Sequence, residues 1–148
     1  PDIEFLLGAT GPKTLQLSGE LATGTILTGG TAPDALRNAL QHVNTGRDRR
    51  TAMTPHSVVV YVICTTGPDA QAAARTELEH WNLDPAQPVT ASGTAADIAR
   101  TVQRWIDAGA DTIVLQPTAD TDIESFAVFI GTEVQPLLTR PTGHHEDE

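Results

Sequence analysis

Short apolar runs alternate along this chain with longer stretches in which apolar residues recur every three or four positions. The runs are the signature of strands, and the recurrence marks one face of a helix. Ile3 to Leu7 is the first run. Gly8, Ala9, Thr10 and Gly11 follow, and Leu15, Leu17, Leu21 and Ala22 then form a helical stripe that Gly24 stops. A second strand is expected over 25–28, then Gly29-Gly30, then a helix over 32–44 with Leu36, Leu40 and Val43 on its apolar face and Gly46 closing it. Residues 47–55 read as a polar loop. The strongest strand is 57–64, S-V-V-V-Y-V-I-C; a β-branched run without alternation predicts burial on both faces, as in a parallel sheet covered by helices. Beyond it the pattern predicts a helix over 70–81, a proline-containing connection over 83–92 and a helix over 94–108 carrying Ile98, Val102, Trp105 and Ile106. A strand over 111–116 and a helix over 121–138, with Phe126, Phe129, Ile130 and Val134 inward, complete the series.

Four strands that each lead through a turn into a helix define an α/β protein with a parallel sheet. The turns echo one another: T-G-P at 10–12, T-A-P-D at 31–34 and T-G-P-D at 66–69 all fall where a helix begins. Residues 1–139 read as one domain, and the polar end 140–148, R-P-T-G-H-H-E-D-E, as a disordered acidic tail. The chain opens on Pro1 without an initiator Met, so processing or an upstream segment is expected.

Composition narrows the chemistry. With 39% hydrophobic but only 4% aromatic residues, the core has to be built from Val, Ile, Leu and Ala. A net charge of −10 argues against nucleic acid or an anionic membrane as partner. No apolar run reaches the roughly 20 residues that span a bilayer. The single cysteine, Cys64, excludes an intrachain disulfide and fits a reducing, cytoplasmic setting; at the end of an apolar run it reads as a core residue rather than a nucleophile. Arg47, Arg49 and Arg50 read as solvated loop charge. His42, His56 and His80 stand apart, and His144 and His145 fall in the tail, so no metal site is expected. No G-x-S-x-G, H-E-x-x-H or P-loop spacing occurs.

The candidate chemistry gathers where strands end. Gly8, Ala9, Thr10, Gly11 and Pro12 join a strand to a helix start, where free N–H groups favour anions and small residues let a ligand approach backbone. The same turn could equally be a plain connection. Lys13, the only lysine, could neutralise a phosphate or face solvent. Thr28 ends the second strand with a hydroxyl, and Gln116 ends the last with an amide that could bond a ring or a polar substrate.

G-A-T-G-P-K-x-L-x-L-S-G-E-L-A-x-G-x-I-L-T-G-G over 8–30 and A-G-A-D-T-I-V-L-Q-P over 108–117 resemble the bacterial-luciferase-like family of flavin- or deazaflavin-dependent oxidoreductases. Thr23 departs from that pattern, standing where most members carry Asp. The resemblance implies a (β/α) TIM-barrel fold of which this chain is the C-terminal half, about four parallel strands with their helices. A closed barrel needs roughly 250 residues. It also implies that Gly8, Ala9, Thr10, Gly11 and Pro12 lie along the ribityl and phosphate portion of a cofactor, coenzyme F-420 before FMN, with Thr28 bordering the same mouth. The acid–base and ring-binding residues of the family would lie in the other half, so no catalytic residue is named. A half-barrel would be completed by a second copy or by an N-terminal half-barrel partner, and would act on a small-molecule substrate. The alternatives are a non-catalytic half-barrel binding module, or an unrelated α/β enzyme that holds a phosphate ester in the same turn.

Overall fold

In a computed structural model that describes residues 3–51 and 54–139, the pattern becomes five strands and five α-helices among the described residues. In chain order these are β1 (Leu6–Gly8), α1 (Pro12–Leu21), β2 (Gly24–Leu27), α2 (Pro33–Arg47), β3 (Ser57–Thr66), α3 (Ala70–His80), β4 (Thr90–Gly93), α4 (Ala95–Asp107), β5 (Thr112–Gln116) and α5 (Ile123–Phe129). The one helix expected over 121–138 is three segments: α5, a π-helical turn at Ile130–Val134 and a 3-10 turn at Gln135–Leu137. Pro136 has no N–H to continue an α-helical ladder there. The tail expected over 140–148 lies outside the described residues.

Every pairing is parallel. β1 lies beside β2, and β2 beside the first four residues of β3. Ile63 is in register with Thr90 of β4 and with Gln116 of β5, so those two strands take opposite edges of β3. β4 therefore extends the edge that β2 begins. It was not foreseen: four strands were expected, and T-A-S-G inside the proline-containing connection has no β-branched run. β3 makes it a strand by extending through Thr66 and offering four residues of unpaired edge. β1, in turn, is shorter than the run Ile3 to Leu7. Gly24 opens β2 rather than merely ending α1, and its register with Leu6 sets where pairing starts. Ile3 and Phe5 remain 84% and 61% exposed.

α1, α2, α4 and α5 gather on one face of the sheet, whereas the step from β3 back to β4 runs the other way and puts α3 on the opposite face, where Leu78 packs with Ile63 and Val89. Against the first face Val58, Val60, Val62 and Cys64 are buried with Leu15 of α1, Leu36 and Val43 of α2, and Ile98, Val102 and Trp105 of α4. The opposite face differs. Val59 and Tyr61 of β3 are half-buried, as are Leu6, Ile26 and Val114 on neighbouring strands. Burial of 57–64 on both faces was expected; the face of Val58, Val60, Val62 and Cys64 is fully covered, whereas on the other Ile63 is buried under Leu78 of α3 and Val59 and Tyr61 are half-buried. An unbroken apolar run reports that both faces avoid water, not that the described residues cover both.

α1 and α2 meet backbone to backbone. A Cβ on Gly19 would lie 2.0 Å from the Val43 carbonyl oxygen, and one on Gly46 would lie 1.9 Å from that of Gln16. Gly46 was expected to close its helix; it sits inside α2, and its role is this close contact.

The arginine cluster is not loop charge either. Arg47 ends α2, and Arg49 reaches Gln16 and Glu20 of α1 at 3.3 and 3.5 Å. Arg50 donates to the Gly19 carbonyl and to Thr54 Oγ1, both at 2.6 Å, and to the Ala22 carbonyl. His56 completes the group, with Nε2 2.8 Å from Thr25 Oγ1 and Nδ1 3.2 Å from the Ala22 carbonyl oxygen. Thr25 Oγ1 is in turn 2.7 Å from Ser18 Oγ. Burial holds the imidazole below its ordinary pKa; the Ala22 carbonyl opposes that, and Arg50 and Arg47 add to it. As pH falls through 6.5, the unfolded chain therefore takes up the His56 proton before the folded one. Stability contributed by neutral His56 is full above that pH and declines in acid, until the folded imidazole protonates as well. Urea midpoints at pH 8 and pH 5.5 should show a smaller acid loss for His56→Asn than for the wild type. Equal losses would remove His56 from the linkage.

Candidate functional site

The turn after β1 stands at the C-terminal edge of the parallel sheet. Pairing continues one residue past the strand, through the Ala9 N–H to the Ile26 carbonyl at 3.3 Å, and the Ala9 methyl is buried in the helix-side core. Gly8 and Thr10 on either side are exposed. Gly11 caps α1 in extended geometry, φ −85° and ψ 154°, with Pro12 in the first turn and no side chain capping the amides. The amides of Lys13 and Thr14 have no carbonyl partner within the helix, as at every helix start. The Thr14 hydroxyl donates backwards to the Gly11 carbonyl at 2.9 Å instead of competing for them.

Neither glycine of this turn is demanded by the chain's own structure. Both have backbone angles outside the left-handed region. A Cβ on Gly8 would meet nothing within 4 Å, and one on Gly11 only Thr14 Oγ1 at 3.6 Å. Gly24, by contrast, is held by its neighbours, since its Cβ would lie 2.7 Å from the Ser57 carbonyl oxygen. The space before Gly8 and Gly11 is thus open and lined by backbone.

Thr28 follows β2 and is exposed; strand alternation carries it to the face of Ile26 and Gly8. Its carbonyl accepts from the N–H and hydroxyl of Thr31 at 3.3 and 2.9 Å, which closes a turn through Gly30 at φ +98°. Gln116, in register with Ile63, turns its amide towards Gly29. Its Oε1 lies 3.8 Å from where a Cβ on Gly29 would stand, and Ile63 Cγ1 lies 3.9 Å from the same point. Ile63 of β3 and the ends of β2 and β5 therefore meet around Gly29, a residue the sequence marks only as part of a flexible pair. Lys13 is exposed and makes no ion pair among the described residues.

Other groups are accounted for structurally. Cys64 is fully buried and desolvation pushes its thiol up to about 12, which fits a core residue. Asp97 is held below the usual carboxylate range by the Thr94 hydroxyl and amide, within the capping box of α4. Asp122 is lowered chiefly by the Ser125 hydroxyl at the start of α5. The Thr65 hydroxyl donates to the Ala70 carbonyl at 2.7 Å and lies 2.8 Å from Ser92 Oγ. Among the described residues no group of three or more His, Cys, Asp or Glu is placed to hold a metal, and no helix is long and apolar enough to cross a membrane. Two clefts lie away from the Gly8 turn. One of about 920 Å³ is bounded by Gly67, Gln71, Thr94, Asp122 and Phe126 at the starts of α3, α4 and α5; one of about 1170 Å³ runs beside β5.

Comparison with known proteins agrees with this architecture. The family model described as luciferase-like monooxygenase matches residues 2–135. No curated protein matches the chain. Among solved structures it is similar to the coenzyme F-420-dependent tetrahydromethanopterin reductase of Methanopyrus kandleri, at 17% identity and a TM-score of 0.73, over 93% of this chain and 52% of that one. An F-420-dependent secondary alcohol dehydrogenase, in complex with an F-420–acetone adduct, aligns at 16% identity and a TM-score of 0.77, over 94% and 50%. The oxygenating constituent of 3,6-diketocamphane monooxygenase from Pseudomonas putida, a type II Baeyer–Villiger enzyme in complex with FMN, aligns at 15% and 0.62, over 95% and 50%. These neighbours are TIM barrels, and the chain spans about half the length of each.

Proposed function

We propose that this chain, which belongs to the luciferase-like monooxygenase family, supplies the phosphate-side cup for the cofactor of an oxidoreductase, as the C-terminal half of a barrel. The observation that carries this reading is the turn 8–12, where two glycines required by neither backbone angle nor packing leave an open, backbone-lined space at a helix start. A phosphate-bearing cofactor fits such a space. The amides of Lys13 and Thr14 would donate to an anionic oxygen, Gly8 and Gly11 would let it approach, and the Lys13 ammonium would offset charge on a chain of net −10. Thr28 and Gln116 would border the same rim and orient a small substrate through hydroxyl and amide. Coenzyme F-420 is favoured because two of the similar structures are described as dependent on it, with FMN as the alternative.

When bound, such a cofactor supplies the hydride or oxygen chemistry, while the protein binds, orients and excludes water. By the family resemblance the acid–base and ring-binding residues lie in the other half of the barrel, so the chain by itself is expected to bind without turning over. Fluorescence titration tests the cup. Gly11→Val should weaken F-420 or FMN binding more than tenfold, and circular dichroism should stay unchanged because a side chain there meets only Thr14 Oγ1 at 3.6 Å. Thr28→Val removes a hydroxyl while keeping shape, and should weaken binding by about 1.5–3 kcal/mol if that hydroxyl meets a charged group. Equal affinity of Gly11→Val and the wild type would remove the turn from the site. Binding of a phosphate ester with no response to either chromophore would favour the phosphate-ester reading.

A further inference from the structure

Among the described residues β1, β4 and β5 each pair on one side only, and β1 and β5 stand at the two ends of the path β1, β2, β3, β5. Those ends differ in relief. Gly19 and Gln16 of α1 meet α2, so a helix of 3.6 residues per turn carries Leu17 and Leu21 to the side away from α2. These two are 46% and 73% exposed, and Ile3 and Phe5 ahead of β1 are 84% and 61% exposed. The β1 edge therefore projects apolar side chains. The β5 edge recedes: the cleft of about 1170 Å³ between β5, α4 and α5 is lined by Ile113, Leu115, Ile123, Ile130, Val134 and Leu138.

We infer that the groove beside β5 receives the β1–α1 edge of a second copy of this chain, so that two copies close head to tail. The path β1, β2, β3, β5 gives four parallel strands per copy, and two copies give the eight that close a β/α barrel. A two-fold axis along the strand direction makes two identical junctions, each setting β1 parallel to the partner's β5, and so covers both ends of that path. The half-buried face of Ile26, Val59, Tyr61 and Val114 then becomes a closed interior. This inference rests on the barrel reading of the sheet and is independent of whether the Gly8 turn binds a cofactor.

Light scattering of the full 148-residue chain at micromolar concentration, without cofactor, should give twice 15.7 kDa. Leu21→Asp and Ile123→Asp lie at positions 73% and 63% exposed, so each variant should keep its circular dichroism and fall to the monomer mass. Mixing the two variants should restore association, because the mixed dimer keeps one junction with wild-type residues on both sides. The double variant should stay monomeric. Four results would overturn the inference: a wild-type monomer, including one that associates only with a different half-barrel polypeptide; a dimer indifferent to both substitutions; a dimer sensitive to only one of them; or no gain on mixing. Loss of cofactor binding in an intact dimer would overturn the cup and leave this inference standing.

Discussion

Gly46→Ala is expected to destabilise the protein by about 3 kcal/mol, the top of the usual range for overpacking. Alanine in a helix interior ordinarily gains about 0.5–1 kcal/mol over glycine. Here the added methyl would stand 1.9 Å from the Gln16 carbonyl oxygen and 2.9 Å from the Glu20 nitrogen. Those are backbone atoms of a packed helix, so relief requires α1 to move off α2 and lose the burial of Leu15 and Val43. Gly19→Ala, facing Val43 at 2.0 Å, should behave alike. Gly131→Ala meets nothing within 4 Å and serves as the control that should not lose stability. Urea denaturation decides the matter; a Gly46→Ala midpoint at or above that of the wild type would mean the helices do not approach so closely.

Trp105→Ala should lose about 3–5 kcal/mol, the range for deleting a large aromatic from a core. Trp105 is fully buried on α4, among the side chains that cover the helix side of β3. Its indole N–H also donates to the Thr31 carbonyl at 2.7 Å. That bond ties the helix layer to the turn that begins at Thr28. Trp105→Phe separates the two roles: it keeps much of the burial but leaves the Thr31 carbonyl without its donor, at about 1–3 kcal/mol. The Phe variant should fold and bind cofactor more weakly than its stability loss alone explains, since Thr28 and Gly29 belong to the same turn. Unaltered affinity in a folded Trp105→Phe would confine Trp105 to packing.

What could be read from the chain depended on how local its cause was. The run 57–64 and the stripes of Ile98, Val102 and Trp105 carry their structure in residue spacing, and they form strand and helix as expected. The turn 8–12 was legible as a strand-to-helix junction for the same reason. β4 was not, because T-A-S-G is a strand only by virtue of the free length of β3 beside it. Gly46 looked like a stop signal and is a contact between helices, a distinction that depends on where α1 lies. Arg50 looked solvated, yet its partners Gly19 and Ala22 are about thirty residues away in the chain. Gly29 lies beside Gln116 only because register sets Gln116 against Ile63, and spacing along the chain does not show that.

Three of the four other strands, β2, β4 and β5, pair with β3; only β1 does not. β3 ends at Thr66, near the middle of the chain. During synthesis β2 therefore has one edge without its partner until β3 is made, and the apolar side chains along it wait for that strand. Everything after residue 66 docks onto a strand already present. Pairing of the described strands thus centres on β3, and β4 and β5, which follow it in the chain, assemble by addition.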